Sequence, residues 1–433
     1  MRVLLVNQYF WPDMAATAQL LTDLAEDLAA AGWDVTVLAG RGSYAPGRPG
    51  RLPGRERHGK VEIRRVRCTN FGRGNVLGRL VDYITFLAMA GAFVAFSRWT
   101  RGRAAGEAAP GQQWRAGAGG RPVVVCLSTP PLLALVGLAA QARGAGFVVK
   151  VEDLYPEVAV ALGTFGPGSL AARFFAAVSR LVLGRADAVV ALDEGMRRRL
   201  VAAGARRVEV IPNWADGQAL APDVAAGQRG RAALAVGDSF VVLYAGNLGL
   251  AHRFDAVAAA ARRLAAAPAA GGGQVTLLFV GSGPRLGEVR QWCRDLPNVR
   301  FLPYQPREAL RELYNAADVH LVTLRDEASG LLVPSKVAAA LACGKPVVLV
   351  GATAGTVAAE LRAAGAGWCC PHDPAAVAAL LAALAEDPAR VAEAGRRARE
   401  LFEVKYDRKR ATGRWQGLLG GVAGVSPAGD GHA

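Results

Sequence analysis

The stretch Gly330-Leu-Leu-Val-Pro-Ser-Lys336-Val-Ala-Ala-Ala-Leu-Ala-Cys-Gly344-Lys-Pro-Val-Val-Leu349 is a turn followed by an alanine-rich helix, between strand-like runs at 319–323 and 346–350. In a parallel sheet, such a turn opens a helix N-terminus onto the carboxyl edge, where free backbone N–H groups and the helix dipole attract an anion. Lys336 adds a full positive charge. The stretch therefore predicts a binding site for a diphosphate, and a nucleotide-sugar is one ligand that carries such a group.

Strand-like and helix-like segments alternate along the 433 residues. This length exceeds what one hydrophobic core usually supports, so two domains are expected. Alternation without hairpin signals predicts an α/β fold, with two Rossmann-like, doubly wound parallel-sheet domains that face each other across a cleft. We expect an N-terminal domain over 1–212 with a flexible insertion at 101–121, a C-terminal domain over 213–405, and a helix end with a disordered tail over 406–433.

The formal net charge of +15 predicts attraction to polyanions. No zinc-finger spacing, basic zipper or aromatic RNA-binding signature accompanies this charge, which argues against nucleic acid as the partner. The six cysteines show neither C-x-x-C spacing nor the density of a disulfide scaffold, and the chain starts with a strand pattern instead of a signal peptide. We therefore expect a cytoplasmic protein with reduced cysteines.

The segment 83–97 is uncharged and largely apolar, and arginines flank it. At about fifteen residues it is shorter than the roughly twenty residues that span a bilayer. An apolar helix with cationic ends suits the headgroup plane of an anionic membrane, and it equally suits an ordinary buried helix of the first domain. The sequence leaves both interpretations open.

Glycine-rich loops follow two strands of the second domain, Gly246-Asn-Leu-Gly-Leu-Ala-His252 and Gly281-Ser-Gly283. Glycines let backbone N–H groups approach a phosphate closely, and Asn247 and His252 can donate hydrogen bonds to it. A tight strand-to-helix turn with an asparagine cap explains the first loop equally well. Tyr304, after a third strand, either contacts a nucleobase or simply packs.

Polar loops also follow two strands of the first domain, at the edge expected to face the cleft. The loop from Asn7 through Tyr9 and Asp13 to Thr17 is polar and aromatic, and Thr17 is a candidate helix cap. Glu152-Asp153 places two adjacent carboxylates at another strand end, which suits acid/base or hydroxyl-binding chemistry. A capping role for the aspartate is the alternative.

Together these stretches resemble the family-four retaining glycosyltransferases, and more narrowly the bacterial enzymes of O-antigen, capsule and colanic acid assembly. The resemblance runs in order from Arg2 to about Tyr406, interrupted only by the insertion near Arg101. The motifs that carry it are Asn7-Gln-Tyr-Phe, Glu152-Asp-Leu-Tyr-Pro-Glu, Ile211-Pro-Asn-Trp, Gly246-Asn-Leu-Gly-Leu-Ala-His, Phe279-Val-Gly-Ser-Gly-Pro, Val333-Pro-Ser-Lys and Cys343-Gly-Lys-Pro-Val.

The resemblance implies a GT-B fold, with a nucleotide-sugar donor held by the second domain, an acceptor held by the first, and no catalytic metal or other cofactor. It implies retention of anomeric configuration by same-face attack, in which the leaving diphosphate oxygen accepts the acceptor's proton. The catalytic candidates are Lys336, Glu152 and Asp153. The implied donor-binding residues are Gly246, Asn247, His252, Gly281, Tyr304, Gly330, Ser335 and Lys336. The implied acceptor-binding residues are Asn7, Tyr9, Asp13 and Thr17.

Three features depart from the family pattern. Glu152 stands where many members have a histidine before the aspartate. Asn247 and His252 stand where an arginine and a lysine often bind the diphosphate, which leaves Lys336 as the main positive charge. The two glutamates of the broad superfamily would fall at Leu331 and Ala339, so the usual carboxylate to the ribose hydroxyls is missing.

The sequence therefore predicts a glycosyltransferase that moves a hexosyl or amino-sugar group from a UDP-sugar to a polyprenyl-diphosphate-linked saccharide. We expect it to be peripheral, on the inner face of the plasma membrane, and to serve surface polysaccharide biosynthesis. A nucleotide-sugar epimerase of similar fold and a non-catalytic nucleotide-sugar-binding subunit are the alternatives. Inversion of the sugar in donor alone would indicate the epimerase, and donor hydrolysis that depends on Lys336 would argue against the binding subunit.

Overall fold

The computed structural model describes residues 1–42, 52–71, 76–97, 99, 120–266 and 274–425. The chain divides into two compact units. Unit 1 comprises residues 1–160, 165–211 and the C-terminal residues from Thr412, and unit 2 comprises residues 161–164 and 212–411. The insertion predicted at 101–121 lies outside the described residues, apart from its last two positions.

Unit 1 is built on a sheet of eight described strands. They are β1 (Arg2–Val6), β2 (Asp34–Gly40), β3 (Arg55–His58), β4 (Val61–Val66), β5 (Val123–Leu127), β6 (Gly146–Lys150), β7 (Ala188–Ala191) and β8 (Val208–Val210). The strand order is β3-β4-β2-β1-β5-β6-β7-β8. The apolar runs of β1 and β5 are almost completely buried, as expected for parallel strands covered on both faces.

One pair in this sheet differs from the predicted parallel arrangement, because β3 pairs with β4 in antiparallel register. Gly59 and Lys60 join the two strands in a turn, and Gly59 has a φ of 56°. Tight two-residue hairpins require positive φ, which glycine adopts without steric cost. This glycine is the hairpin signal that the sequence offers.

Six described helices belong wholly or mainly to unit 1. They are α1 (Ala16–Ala30), α2 (Val76–Phe96), α3 (Ala134–Gln141), α4 (Glu157–Ala161), α5 (Leu170–Arg185) and α6 (Glu194–Ala202). Helix α3 contacts both α2 and α5, so these three helices lie on the same face of the sheet.

Helix α2 has 21 residues and is therefore longer than the fifteen-residue segment predicted. Phe86, Ala90 and Val94 are fully buried, whereas Leu77 and Ile84 are exposed by 72% and 58%. Residues 77–96 are long and apolar enough to cross a membrane, and 22% of their most apolar window is buried. The helix is therefore buried on one side only and presents an apolar side to the surface.

Unit 2 is built on a sheet of six described strands, all parallel. They are β9 (Phe240–Ala245), β10 (Val275–Val280), β11 (Val299–Leu302), β12 (Val319–Thr323), β13 (Val347–Val350) and β14 (Gly367–Cys370). The order β11-β10-β9-β12-β13-β14 reverses direction at β9, which lies between β10 and β12. Ligands of open parallel sheets bind at the carboxyl ends of strands at such a switch point.

The helices of unit 2 connect these strands and cover their faces. They are α7 (Val224–Leu234), α8 (Asp255–Ala266), α9 (Leu286–Trp292), α10 (Leu310–Ala316), α11 (Lys336–Ala342), α12 (Thr356–Ala364), α13 (Pro374–Ala385) and α14 (Pro388–Leu401). Helix α14 begins as a capped helix should, because Asp387 accepts a hydrogen bond from the backbone N–H of Arg390 and Pro388 occupies the first turn.

The chain beyond 405 differs from the predicted helix end and disordered tail. A separate helix, α15 (Arg408–Ala423), follows α14, and its residues from Thr412 belong to unit 1. Trp415 and Leu419 are fully buried, and the Val422 carbonyl accepts a hydrogen bond of 2.9 Å from Arg121 Nε. Apolar burial therefore makes this helix part of the core, and residues 426–433 lie outside the described part.

Candidate functional site

Three segments of unit 2 converge on Lys336, at the switch point between β9 and β12. Lys336 is the first residue of α11. Gly246 directly follows β9, and a Cβ added to it would lie 2.9 Å from Lys336 Cε. His252, from the same loop, bonds to the carbonyl of Thr323, the last residue of β12. The loop after β9, the end of β12 and the start of α11 therefore meet at one lysine.

The hydrogen bonds of His252 determine where its proton lies. Nδ1 faces the Thr323 carbonyl oxygen, which can only accept, so Nδ1 carries the hydrogen. Burial, and secondarily the charge of Lys336, lower the pKa of His252 to about 3, which makes the ring neutral at physiological pH. Nε2 is then an acceptor, and Lys336 Nζ donates to it across 3.3 Å.

This geometry gives His252 contacts that differ from the predicted hydrogen bond to a phosphate. Both ring nitrogens are engaged, and the one nearest Lys336 has no proton to give. His252 instead holds the lysine side chain in place. Burial lowers the pKa of Lys336 to about 8, so the side chain is mostly an ammonium ion at pH 7.

Tyr244 completes the surroundings of the ammonium group, and it is absent from the residues predicted from the sequence. Its fully buried ring lies beneath Lys336, with 4.9 Å between Nζ and the ring centroid, a cation–π contact. Its hydroxyl donates to the Asn247 carbonyl across 2.8 Å, which fixes the loop after β9. A tyrosine two residues before the glycine loop, at the end of an apolar strand, is the sequence signal for this role.

Glycines allow the loops after β9 and β10 to stack directly on one another. Gly246 and Gly281 have φ values of 132° and 136°, which L side chains rarely adopt. A Cβ on Gly281 would overlap the Gly246 carbonyl oxygen. The Gly246 N–H donates to the Val280 carbonyl across 2.8 Å. Close backbone packing therefore brings the Gly246 backbone directly beside the Lys336 side chain.

The other predicted donor residues surround this centre less closely. Gly330 has a φ of 70° in the loop between β12 and α11, and Ser335 is exposed and does not cap α11 through its side chain. Asn247 directly follows Gly246. Tyr304 follows β11 and is 41% exposed. Burial of Tyr244 raises the pKa of its own hydroxyl, and Tyr304 raises it further, so Tyr304 lies near Tyr244.

The two positions where the broad superfamily has glutamates are occupied in this chain by apolar residues that pack in unit 2. Leu331 is 5% exposed, and the partly buried Ala339 packs against core residues of unit 2. Within the described ranges, no group of three or more His, Cys, Asp or Glu side chains is arranged to hold a metal ion.

The predicted acceptor residues of unit 1 largely organise their own loop. Asn7 is buried and its Nδ2 donates to the Tyr9 carbonyl across 2.7 Å. Asp13 Oδ1 accepts from the Ala15 N–H across 3.1 Å, just before α1. Thr17 is the second residue of α1, so it lies inside the helix instead of capping it, and its side chain is partly exposed.

The two adjacent carboxylates after β6 have different environments. Glu152 forms a buried ion pair with Lys150, and its N–H donates to Ser128 Oγ across 2.9 Å. Asp153 instead lines a cavity in unit 1. Burial first, and the charge of Glu152 second, raise the pKa of Asp153 to about 7, against the opposing effect of Lys150. Of the pair, Asp153 is therefore the one available to a ligand.

Two family models match this chain, one in each half. Residues 16–214 match the model of the glycosyl transferase 4-like domain, and residues 239–387 match the model of glycosyl transferases group 1. The second match contains Gly246, His252 and Lys336, and the first contains Asp153.

Named relatives support this assignment. The putative colanic acid biosynthesis glycosyl transferase WcaI of Escherichia coli is 26% identical over 399 residues, which is 89% of this chain and 91% of WcaI. The probable glycosyltransferase WbjE of Pseudomonas aeruginosa is 27% identical over 273 residues, which is 61% of this chain and 66% of WbjE.

Solved structures share the fold over nearly the whole length. Sucrose-phosphate synthase of Thermosynechococcus elongatus superposes with a TM-score of 0.71 at 19% identity, covering 98% of this chain and 100% of that one. HepE of Anabaena, solved in complex with UDP-glucose, gives a TM-score of 0.67 at 19% identity, covering 97% and 100%. The chain therefore belongs to the glycosyltransferases of the GT-B fold, built from a 4-like domain and a group 1 domain.

Proposed function

We propose that this protein is a retaining glycosyltransferase that takes a sugar from a UDP-sugar bound in unit 2. The single observation that carries the proposal is the Lys336 ammonium group, held by neutral His252 and the Tyr244 ring at the switch point of the sheet. A preorganised charge in a water-poor site stabilises an anion without having to reorganise during the reaction. The UDP complexes of HepE support the choice of nucleotide.

Lys336 would act on the leaving group. As the bond between the anomeric carbon and the diphosphate oxygen breaks, negative charge develops on the diphosphate, and the ammonium group lowers the energy of that charge. The same diphosphate oxygen accepts the proton of the attacking acceptor hydroxyl, so the new bond forms on the face that the leaving group occupied. In this proposal Lys336 supplies the positive charge, without a catalytic metal.

The proposed acceptor is a lipid-linked saccharide of surface polysaccharide biosynthesis, and the name of WcaI supports this class. Turnover with radiolabelled donors tests the whole proposal. We expect transfer or slow hydrolysis from a UDP-sugar, and weaker or no turnover from GDP-sugars and dTDP-sugars. Conversion of the donor into its epimer without acceptor would contradict the proposal and indicate an epimerase. Tight donor binding without any turnover would contradict it and indicate a non-catalytic binding subunit.

We further propose that the protein is peripheral on the inner face of the plasma membrane. The exposed side of α2 is a continuous apolar surface, and α5, on the same face of unit 1, exposes Leu170 and Phe174 beside Arg173 and Arg180. An apolar surface with neighbouring cations favours the headgroup region of an anionic bilayer.

Vesicle sedimentation measures this association. Leu80→Asp combined with Ile84→Asp should lower binding to phosphatidylglycerol-containing vesicles about tenfold or more, because each buried aliphatic side chain contributes about 1.5–3 kcal/mol. The matched control Val224→Asp changes an exposed valine of unit 2, 81% exposed, and should have no effect. Equal binding of the double variant and the control would contradict a membrane contact through α2.

A further inference from the structure

Unit 1 contains a cavity of about 110 Å³ between its sheet and helices α5 and α6, next to the loops that follow β5 and β6. The walls come from β6, from the loops after β5 and β6, and from α5 and α6, and most of them are apolar. Leu132, Val151, Phe175 and Val178 are examples of these apolar residues. Most small-molecule sites combine such walls with a few polar groups.

The backbone at the cavity is unusual. Leu132 has a φ of 72°, in the left-handed region that branched residues avoid. Residues held in such conformations are concentrated at ligand sites, where the surrounding structure maintains them. Helix α5, which forms one wall, has only Ala172, Val182 and Leu183 buried among its sixteen residues. Helix α5 therefore contacts the rest of unit 1 along a narrow side.

Two polar groups of the cavity have unused hydrogen-bonding capacity. The Asp153 carboxyl has no hydrogen bond or ion pair to another side chain or backbone group among the described residues, and its side chain is partly exposed in the cavity. A ligand that covers this carboxyl must therefore offer it a hydrogen-bond donor. Ser128 Oγ accepts from the Glu152 N–H, so its own hydroxyl proton remains to donate. Ser179 of α5 adds a second hydroxyl to the lining.

We propose that this cavity binds the acetamido group of an N-acetylated sugar in the acceptor. The amide N–H donates to the Asp153 carboxyl, the amide carbonyl accepts from a serine hydroxyl, and the methyl group contacts the apolar wall. A sugar hydroxyl in place of the acetamido group would leave the apolar wall without a contact. A hydrocarbon chain would cover the Asp153 carboxyl without donating a hydrogen bond to it, which costs free energy. The inference rests on the proposed function, because it assigns this sugar to the acceptor.

Saturation-transfer NMR with methyl N-acetyl-β-D-glucosaminide and methyl β-D-glucoside tests the inference on the unchanged protein. We expect the acetyl methyl protons to receive the strongest saturation, and the glucoside to bind about tenfold or more weakly, as a loss of about 1.4 kcal/mol would give. Equal saturation of the two glycosides, or none of either, would overturn the inference.

A pair of variants locates the binding. Ser179→Phe places a ring in the cavity and should abolish saturation of the acetyl methyl protons. Ala177→Phe places the same ring on the exposed side of α5 and should leave that saturation unchanged. Asp153→Leu keeps the approximate size, removes the acceptor and should remove the preference for the acetylated glycoside. Acetyl saturation at the original level in both Ser179→Phe and Asp153→Leu would overturn the inference.

UDP binding in the same samples separates this inference from the proposed function. UDP binding with no preference between the glycosides would refute the acetamido site and leave the donor site standing. Failure of UDP to bind the unchanged protein would refute the proposed function itself.

Discussion

Replacing Lys336 with alanine is expected to lower the transfer rate by on the order of a hundredfold or more, the usual effect of losing one donor to a developing anion. The alanine removes the side-chain charge at the meeting point of the loop after β9 and α11. It also leaves Nε2 of the neutral His252 without its donor. Steady-state kinetics with a UDP-sugar measures the change, and it should fall mainly on kcat.

The control for the lysine is Lys60→Ala, which removes the same charge from an exposed turn of unit 1. It should have kinetics close to those of the unchanged protein. A Lys336→Ala enzyme with the original kcat would remove Lys336 from the mechanism, whatever its effect on UDP affinity.

The pH dependence of UDP affinity is a second test of the Lys336 ammonium group. Burial lowers the pKa of Lys336 from 10.5 to about 8, and UDP should bind the ammonium form. Affinity should therefore be steady between about pH 7 and 8, and then fall by up to about tenfold per pH unit as the free protein loses this proton. Lys336→Arg keeps its charge over this range, so its affinity should not show that fall.

Replacing Gly281 with alanine is expected to lower kcat/KM by on the order of a hundredfold, because a small displacement of a catalytic group from its working geometry has effects of that size. The added Cβ would overlap the Gly246 carbonyl oxygen, and the φ of 136° disfavours any L side chain. The loops after β9 and β10 must then separate, which displaces Gly246 from its place beside Lys336.

Gly287→Ala is the matched control. Gly287 lies in α9, and a Cβ there would meet nothing within 4 Å. Alanine is a better helix former than glycine, so this variant should be as active as the unchanged protein and equally or more stable. Full activity of Gly281→Ala would show that the stacked loops do not set the position of Lys336.

The sequence predicts the fold well because apolar strand runs and helical spacing repeat along most of the chain. It misses β3, a strand of charged residues, Arg55–His58, without an apolar pattern. It misses β14, whose four residues are too short to show a period. For residues 406–433 it predicts the end of a helix, but it does not show that this helix is separate from α14 or that Trp415 and Leu419 are buried in unit 1.

For the site, the sequence indicates Lys336 and the glycine loops, since both follow strand ends. It cannot indicate the proton position on His252, because that depends on the carbonyl of Thr323, 71 residues away, and on burial. It cannot separate Glu152 from Asp153 either, since the ion pair with Lys150 follows from the conformation at the end of β6.

A crystal structure of the protein with UDP tests the central claim most directly. The account predicts a β-phosphate oxygen within about 3 Å of Lys336 Nζ, the distance of a charge-assisted hydrogen bond, with Tyr244 still beneath the ammonium group. A diphosphate bound elsewhere, with Lys336 still donating only to His252, would contradict it.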